Sequence, residues 1–242
     1  MWSKPFDVLR QKWVEVPIGG KRLRTDDLLG LSDHELLEMW SEARRSMTEG
    51  QEFNHRGWYH SLYKYVFKGK KVMDIGSGFG IDGLTFAQQG AHVTYVDICE
   101  SNLEVLKRLS RLLQLGHVDF RYLDRLASLE TLDRDYDVLY AQGSLHHAPV
   151  DVIGPEVQAL LDHLQVGGRW IQLAYPKSRW VREGSLSFSE WGKRSDGENT
   201  PWAEWYDWPK LQSLLLPAEF DVVLCQEFHN NDFIWFDLIR RK

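Results

Sequence analysis

The chain has 242 residues, which is the size of one large domain or of one domain with a smaller cap. Hydrophobic residues make up 43% and charged residues 26%, a balance typical of a globular protein that can bury a substantial core. The 29 basic and 35 acidic side chains leave a formal net charge of −6, which disfavours the basic surface that nucleic-acid-binding proteins use.

Two helices are predicted before residue 68. Residues 1–31 carry no pattern that predicts an element. Ser32 and Glu35 form a capping box, which indicates the start of a helix that ends at Gly50. The apolar face of this helix consists of Leu36, Leu37, Trp40, Ala43 and Met47. A second helix is predicted over Trp58–Phe67, so we expect residues 1–67 to form an N-terminal helical extension or cap.

From residue 71 onward the pattern alternates between strand and helix. Seven strands are predicted, at Val72–Ile75, His92–Val96, Val118–Leu123, Asp137–Gln142, Arg169–Tyr175, Phe220–Phe228 and Phe233–Ile239. Helices are predicted to begin at a Ser101 cap, at Pro155 and at Pro209. Repeated strand–helix units predict a parallel sheet with right-handed crossovers, and the final hairpin forces one antiparallel strand. Residues 176–208 have no clear periodicity.

The stretch Lys71–Leu84 reads KVMDIGSGFGIDGL, a strand that turns on glycines into a helix. Such a turn is a place for a ligand, because glycine permits positive φ and the helix start presents free N–H groups. The dinucleotide fingerprint G-x-G-x-x-G does not fit, since Ile81 stands at its last position. Asp74 precedes the first glycine by two residues, and a carboxylate there repels a pyrophosphate but attracts an ammonium group.

An acid followed by G-x-G-x-G resembles the first motif of the class I S-adenosylmethionine-dependent methyltransferases. The resemblance covers about residues 71–242. It implies a Rossmann-like, doubly wound α/β sheet of seven strands with the last strand antiparallel. It also implies a methyltransferase domain over 68–242, with 176–208 as a substrate lid between the fifth and sixth predicted strands. The implied cofactor is S-adenosylmethionine, and the implied product is S-adenosylhomocysteine.

The resemblance also implies which residues hold the cofactor. Asp74, Gly76, Ser77 and Gly78 would face its amino-acid end, and Gln142 would line the sulfonium end. Arg56 or Tyr59 would reach the methionine carboxylate. At the nucleoside, Asp97 would accept hydrogen bonds from both ribose hydroxyls, Ile98 would pack on the adenine, and Asp124, with Arg125 beside it, would accept from the adenine amino group. Taken alone, each acid is better explained as a helix cap or a solvated loop residue. Three acids at the ends of three successive predicted strands, together with the glycine loop, favour the cofactor site instead.

The sequence Ser144-Leu145-His146-His147 follows the fourth predicted strand and resembles the L-H-H stretch of small-molecule members of the family. Either histidine could act as a general base, and His147 is the preferred candidate over His146. Alternatively, both histidines orient the loop and pack on the cofactor.

Aromatic residues are concentrated in 176–208. Trp180, Trp202, Trp205 and Tyr206 are the candidates for acceptor binding, because aromatic rings stack on planar molecules and attract cations. The alternative is that they form a small core beneath a long loop.

These observations predict methyl transfer to the O, N or C atom of a small metabolite or natural product. An RNA or protein methyltransferase and a non-catalytic scaffold of the same fold remain open alternatives. No metal is expected, because the acid pattern that holds Mg²⁺ in catechol-type members is absent. Two cysteines without a C-x-x-C spacing, and no long apolar run or leader-like start, favour a cytoplasmic protein without a membrane partner. The pattern does not predict the oligomeric state.

Overall fold

The computed structural model describes residues 3–18, 21–50, 53 and 57–242. The chain divides into two compact units. The first, residues 13–123, contains the glycine-rich turn and is called the glycine-loop unit. The second combines the described part of 1–12 with 124–242, contains both neighbouring histidines and is called the histidine-loop unit.

Helices and strands alternate through most of the described chain. The helices are α1 Ser3–Trp13, α2 Thr25–Gly30, α3 Asp33–Glu49, α4 Trp58–Tyr63, α5 Ile81–Gln88, α6 Glu100–Leu112, α7 Val150–Leu161, α8 Lys177–Arg182, α9 Phe188–Asp196 and α10 Trp208–Leu215. The strands are β1 Glu15–Ile18, β2 Lys21–Arg24, β3 Lys71–Ile75, β4 His92–Asp97, β5 Val118–Tyr122, β6 Tyr136–Gln142, β7 Leu164–Pro176, β8 Trp205–Tyr206, β9 Phe220–Phe228 and β10 Phe233–Arg240.

In the glycine-loop unit, β3, β4 and β5 form a parallel set in which β4 is the middle strand. Helices α5 and α6 pack against β4, and α6 also packs against β5. β3 and β4 are almost wholly buried, as expected for parallel strands covered on both faces. Because parallel strands end at the same edge, this arrangement brings the ends of β3 and β4 together.

In the histidine-loop unit, β6 runs parallel to β7, and β10 lies antiparallel between β7 and β9. The turn from β9 to β10 passes through His229, Asn230 and Asn231, which all have positive φ. The predicted α/β class is therefore confirmed, including the insertion of the last strand between the fifth and sixth predicted strands. All seven predicted strands are present, and the two-residue strand β8 pairs with β7 in addition.

Helix starts were predicted with mixed success. The capping box of α3 is present, with Ser32 and Glu35 bonded reciprocally, and Gly50 is its C-cap. The Ser101 cap was wrong, because the N-cap of α6 is Cys99, two residues earlier, and the helix begins at Glu100. The Pro155 start was also wrong. Helix α7 begins after Pro149 and continues through Pro155, because its buried face compensates for the one lost backbone hydrogen bond.

Regular structure also occurs where the sequence predicted none. Strands β1 and β2 pair antiparallel as the two arms of a hairpin, and 176–208 contains α8, α9 and β8. The start of α9 is a second capping box, formed by Ser187 and Glu190, which the aromatic composition of the segment obscured. Among the described helices, none has the length and apolar character needed to cross a bilayer.

Candidate functional site

The glycine loop between β3 and α5 takes a conformation that only glycine adopts easily. Gly76, Gly78 and Gly80 have φ of 67°, 53° and 67°. A Cβ added at Gly80 would overlap the Leu106 side chain, whereas a Cβ at Gly78 would meet no atom within 4 Å. Gly80 is therefore required for packing, while the loop at Gly78 faces open space that a ligand could fill. Ser77 donates from Oγ to the Asp74 carbonyl at 3.0 Å, which closes the turn.

Asp74 on β3 is buried against the start of α5. Burial raises the pKa of the Asp74 carboxyl well above its usual range, and repulsion from Asp82 and, more weakly, from Asp97 raises it further. Burial, followed by the negative charge of Asp74, also raises the pKa of the Tyr95 hydroxyl. That hydroxyl has no hydrogen-bond partner in the described part of the chain. A cation beside Asp74 would therefore relieve an unfavourable charge arrangement.

Asp97 at the end of β4 is buried but well supplied with donors. Its Oδ1 accepts from the Cys99 N–H at 2.7 Å, and Asn102 Nδ2 lies 3.4 and 3.3 Å from Oδ1 and Oδ2. Burial raises the pKa of Asp97 to about 6, although backbone N–H groups of Cys99, Gly78 and Ile98 and the Asn102 amide oppose this rise. The Gly78 N–H of the glycine loop is thus among the groups that favour the ionised form of the acid at the end of the neighbouring strand.

Two buried polar residues of this unit were missed by the sequence reasoning. His60 on α4 donates from Nδ1 to Asp82 Oδ1 at 2.6 Å, and its ring stacks on Phe86 at 6.2 Å. Asp82 is the one charged residue of α5, which is the signal that could have found it. Tyr59, the neighbour of His60, is also buried, whereas the candidate Arg56 lies outside the described residues.

Asp124, in the histidine-loop unit, is half exposed and engaged locally. Its carboxylate accepts from Ser128 Oγ, and Arg125 Nε lies 3.9 Å from Oδ2. The Ser128 hydrogen bond is the main factor that lowers the pKa of Asp124. Arg10 of α1 donates to the Asp124 carbonyl at 2.8 Å. Gln142 ends β6 and is half-buried, and the following Gly143 has a φ of 72°.

The two histidines after β6 are both buried, with ring centroids 4.1 Å apart. Burial lowers the pKa of His146 well below its usual range, and repulsion from His147 lowers it further, so His146 is a neutral imidazole. His147 Nδ1 lies 3.3 Å from the Trp202 carbonyl, and the His146 carbonyl accepts from the Glu204 N–H at 2.7 Å. Two backbone contacts thus join the histidine loop to residues 202–204.

The four candidate aromatic residues pack in one region of this unit, but their surroundings differ. The Trp180 ring lies 6.0 Å from the Trp205 ring, and the Trp202 Nε1 donates to Glu204 at 2.8 Å. Two lysine ammonium groups lie over Trp205, Lys210 at 4.0 Å and Lys177 at 4.9 Å from the ring centroid. Cation–π contacts within the protein therefore already use the Trp205 ring.

Buried acids near these rings were also missed. Glu204 pairs with Lys210, and Asp196 accepts from the Tyr175 hydroxyl at 2.9 Å. Burial raises the pKa of Glu156, on α7, to about 7. Burial, followed by Glu204 and Glu156, raises the pKa of the Tyr206 hydroxyl. A single charge within an apolar helix face signalled Glu156, but nothing local in the sequence signalled Tyr175 with Asp196.

Comparison with known proteins agrees with this arrangement. Residues 72–168 match a family described as a methyltransferase domain. Over 81 residues the chain is 40% identical to the ubiquinone biosynthesis O-methyltransferase of Pseudomonas aeruginosa strain UCBPP-PA14, and the matched segment covers 34% of each chain. The chain thus spans about a third of the length of the curated relatives it matches.

Solved structures match over most of the chain. The 1,6-didemethyltoxoflavin-N1-methyltransferase of Burkholderia thailandensis is 20% identical, with a TM-score of 0.54 and 94% of both chains covered. The magnesium protoporphyrin IX methyltransferase of Synechocystis PCC 6803 is 18% identical, with a TM-score of 0.57 and coverage of 99% of this chain and 95% of that one. Both structures contain S-adenosylhomocysteine. The match to the methyltransferase domain family thus covers residues 72–168, and the chain shares the fold of these solved structures.

The packing of Asp74 predicts the effect of a substitution in α5. A Cβ at Gly83 would meet Asp74 Oδ2 and, at 2.5 Å, Cε1 of the buried Tyr95. We expect Gly83→Ala to lower the free energy of unfolding by about 1–3 kcal/mol, although alanine favours helix. Gly30→Ala is the control, since it also lies in a helix and its Cβ would meet nothing within 4 Å. Urea unfolding measures the free energy of unfolding of both variants. Equal stabilities of Gly83→Ala and Gly30→Ala would contradict the packing described for Asp74.

Proposed function

We propose that the protein transfers the methyl group of S-adenosylmethionine to an O, N or C atom of a small-molecule acceptor. One observation carries the proposal: the glycine loop has an open surface at Gly78, and the buried carboxyl groups of Asp74 and Asp97 lie at the ends of the two neighbouring strands. An open backbone beside buried carboxylates suits a ligand with an ammonium group and a cis-diol. The bound cofactor would supply a methyl group activated by its positive sulfur.

The residues of the glycine-loop unit fit this cofactor. In the proposal, Asp74 attracts the ammonium group, which relieves the repulsion that the buried acids impose on it. The two oxygens of Asp97 accept from the two ribose hydroxyls, and Ile98 packs on the adenine. Gly76, Ser77 and Gly78 allow close backbone approach. The methionine carboxylate is assigned to Tyr59 and Arg56.

The remaining assignments carry over from the resemblance stated for the sequence. Gln142 lines the sulfonium end, and Asp124 with Arg125 serves the adenine amino group. His147 is the proposed general base, because its contact with the Trp202 carbonyl through Nδ1 orients the ring and directs Nε2 to accept a proton. His146, which is neutral and packed on Tyr175, orients the loop and is the second candidate.

In this proposal, residues 68–242 form the methyltransferase domain, 1–67 an extension of it, and 176–208 the segment that covers the acceptor. Trp180, Trp202 and Tyr206 are the proposed acceptor contacts. Trp205 contributes through its packing, since lysines already occupy its ring. The methyl acceptors named for the related proteins support a small molecule. Cys99 and Cys225 form no disulfide in the described part of the chain, which supports a reducing, cytoplasmic location.

Calorimetry with S-adenosylhomocysteine tests the proposal first, and we expect saturable binding at one site. Methyl transfer from labelled S-adenosylmethionine is then measured with phenols, amines and activated carbon acids, and in parallel with bulk RNA and a protein mixture. Transfer to small molecules supports the proposal. Transfer only to RNA or protein would favour those alternatives, and absence of binding would remove the proposal.

Cofactor affinity is expected to fall at low pH. The ribose hydroxyls need an ionised acceptor, and the pKa of Asp97 is about 6, so protonation removes this acceptor as the pH falls below that value. Binding at pH 5 should be about tenfold weaker than at pH 8, as a pKa near 6 requires. Calorimetry from pH 5 to pH 8 measures this. Asp97→Asn should bind more weakly and lose this pH dependence, whereas a wild-type affinity independent of pH would contradict the assignment of Asp97.

His147→Asn should lower kcat about 100-fold, the usual contribution of a general base, and leave the affinity for S-adenosylhomocysteine unchanged. His163→Asn is a matched control. His163 is also buried in the histidine-loop unit and also contacts a backbone carbonyl through Nδ1, that of Asp133 at 2.7 Å. Steady-state kinetics with the acceptor found above measures both variants. Full activity of His147→Asn would show that His147 is not the general base and that another residue would have to fill that role.

A further inference from the structure

A buried chain of side-chain hydrogen bonds leads from Asp97 to the base of the β1/β2 hairpin. Asn102 Nδ2 contacts both Asp97 oxygens and also donates to the Trp13 carbonyl at 3.0 Å. Thr25 Oγ1 lies 2.6 Å from Asn102 Oδ1. The exposed fractions are 0% for Thr25, 3% for Asn102 and 4% for Asp97, so water does not compete for these bonds.

The neighbours of Asn102 determine the orientation of its amide. Its Nδ2 faces a carboxylate and a carbonyl, which are both acceptors, and its Oδ1 faces a hydroxyl. A flipped amide would place an oxygen against both acceptors, so only one orientation satisfies the group. The amide thus has one hydrogen for Asp97 and one for the backbone of Trp13.

The hydroxyl of Thr25 has a single hydrogen and two acceptors within reach. The Val14 carbonyl lies 2.6 Å from Oγ1, but it already accepts from the Thr25 N–H at 2.7 Å. Asn102 Oδ1 is therefore the acceptor that gains most from the hydroxyl hydrogen. Residues 13, 14 and 25, which flank the hairpin, together hold the Asn102 amide in place.

The position of Asn102 limits the rotation of the carboxylate. Its nitrogen is almost equidistant from the two oxygens of Asp97, while the Cys99 N–H binds Oδ1 alone. Rotation of the carboxylate about its bond to Cβ would lengthen at least one of these contacts. Both oxygens of Asp97 are therefore presented in one orientation, which a cis-diol requires.

We propose that Asn102 and Thr25 are positioning residues, which orient Asp97 for the cofactor ribose and make ribose recognition depend on the closed base of the β1/β2 hairpin. This inference rests on the proposed function, because it takes Asp97 as the ribose acceptor. Neither residue touches the cofactor in the proposal, and both act through Asp97. Substitutions at either one should weaken recognition of the ribose hydroxyls specifically.

Calorimetry with two ligands tests this: S-adenosylhomocysteine and its analogue without the ribose 2′- and 3′-hydroxyls. Asn102→Leu and Thr25→Val keep the approximate shape but remove the hydrogen bonds. Each should weaken the affinity for S-adenosylhomocysteine about tenfold, the value of one buried hydrogen bond, and leave the weaker affinity for the analogue within about twofold. Thr25→Ser retains the hydroxyl and should bind as the wild type does.

Ser110→Ala is the control, because Ser110 is buried on the same helix α6 and its hydroxyl has no hydrogen-bond partner among the described residues. It should bind both ligands normally. Equal weakening for both ligands would indicate a general structural role and overturn the inference, as would unchanged affinity in Thr25→Val. If circular dichroism finds Asn102→Leu unfolded, the comparison of Thr25→Val with Thr25→Ser decides. A wild-type chain that binds neither ligand would instead overturn the proposed function, and the inference with it.

Discussion

The arrangement of the glycine-loop unit depends on the burial of two carboxylates at the ends of neighbouring parallel strands. A buried charge is costly unless it is paired or hydrogen-bonded. Asp97 receives three backbone N–H groups and the Asn102 amide, whereas Asp74 lies near two further acids and has a strongly raised pKa. Asp97 is thus positioned to accept hydrogen bonds, whereas the carboxylate charge of Asp74 still needs a cation to neutralise it. A ligand with hydroxyls at one end and a cation at the other satisfies both requirements.

The histidine-loop unit uses a different principle, in which packing and backbone contacts position the polar groups. His146 is neutral because burial disfavours its charge, and the carbonyl of His146 and the ring of His147 both contact residues 202–204. Glu204 joins this segment to Lys210, whose ammonium lies over Trp205. The primary role of the aromatic residues of 176–208 is therefore to form a packed cluster within the protein. Any acceptor surface in the segment is built on that cluster.

The fold and the chemistry are supported by different observations. The two solved structures named above are 20% and 18% identical to the chain, and such a likeness defines the fold alone. The proposed reaction depends on particular residues, such as Asp97 with the Gly78 N–H and His147 with the Trp202 carbonyl. The acceptor can be expected to depend on residues 176–208, which lie beyond the matched methyltransferase segment 72–168.

The amino-acid sequence alone was sufficient for features that depend on local chemistry. The seven strands, the capping box at Ser32 and the positive-φ glycines after Asp74 follow from side-chain alternation, capping preference and steric freedom within a few residues. Tertiary structure decided the rest. Thr25 meets Asn102 across 77 residues and His60 meets Asp82 across 22, and α7 continues through Pro155 because its face is buried. These outcomes depend on which distant groups share one dry interior, and no local pattern encodes that.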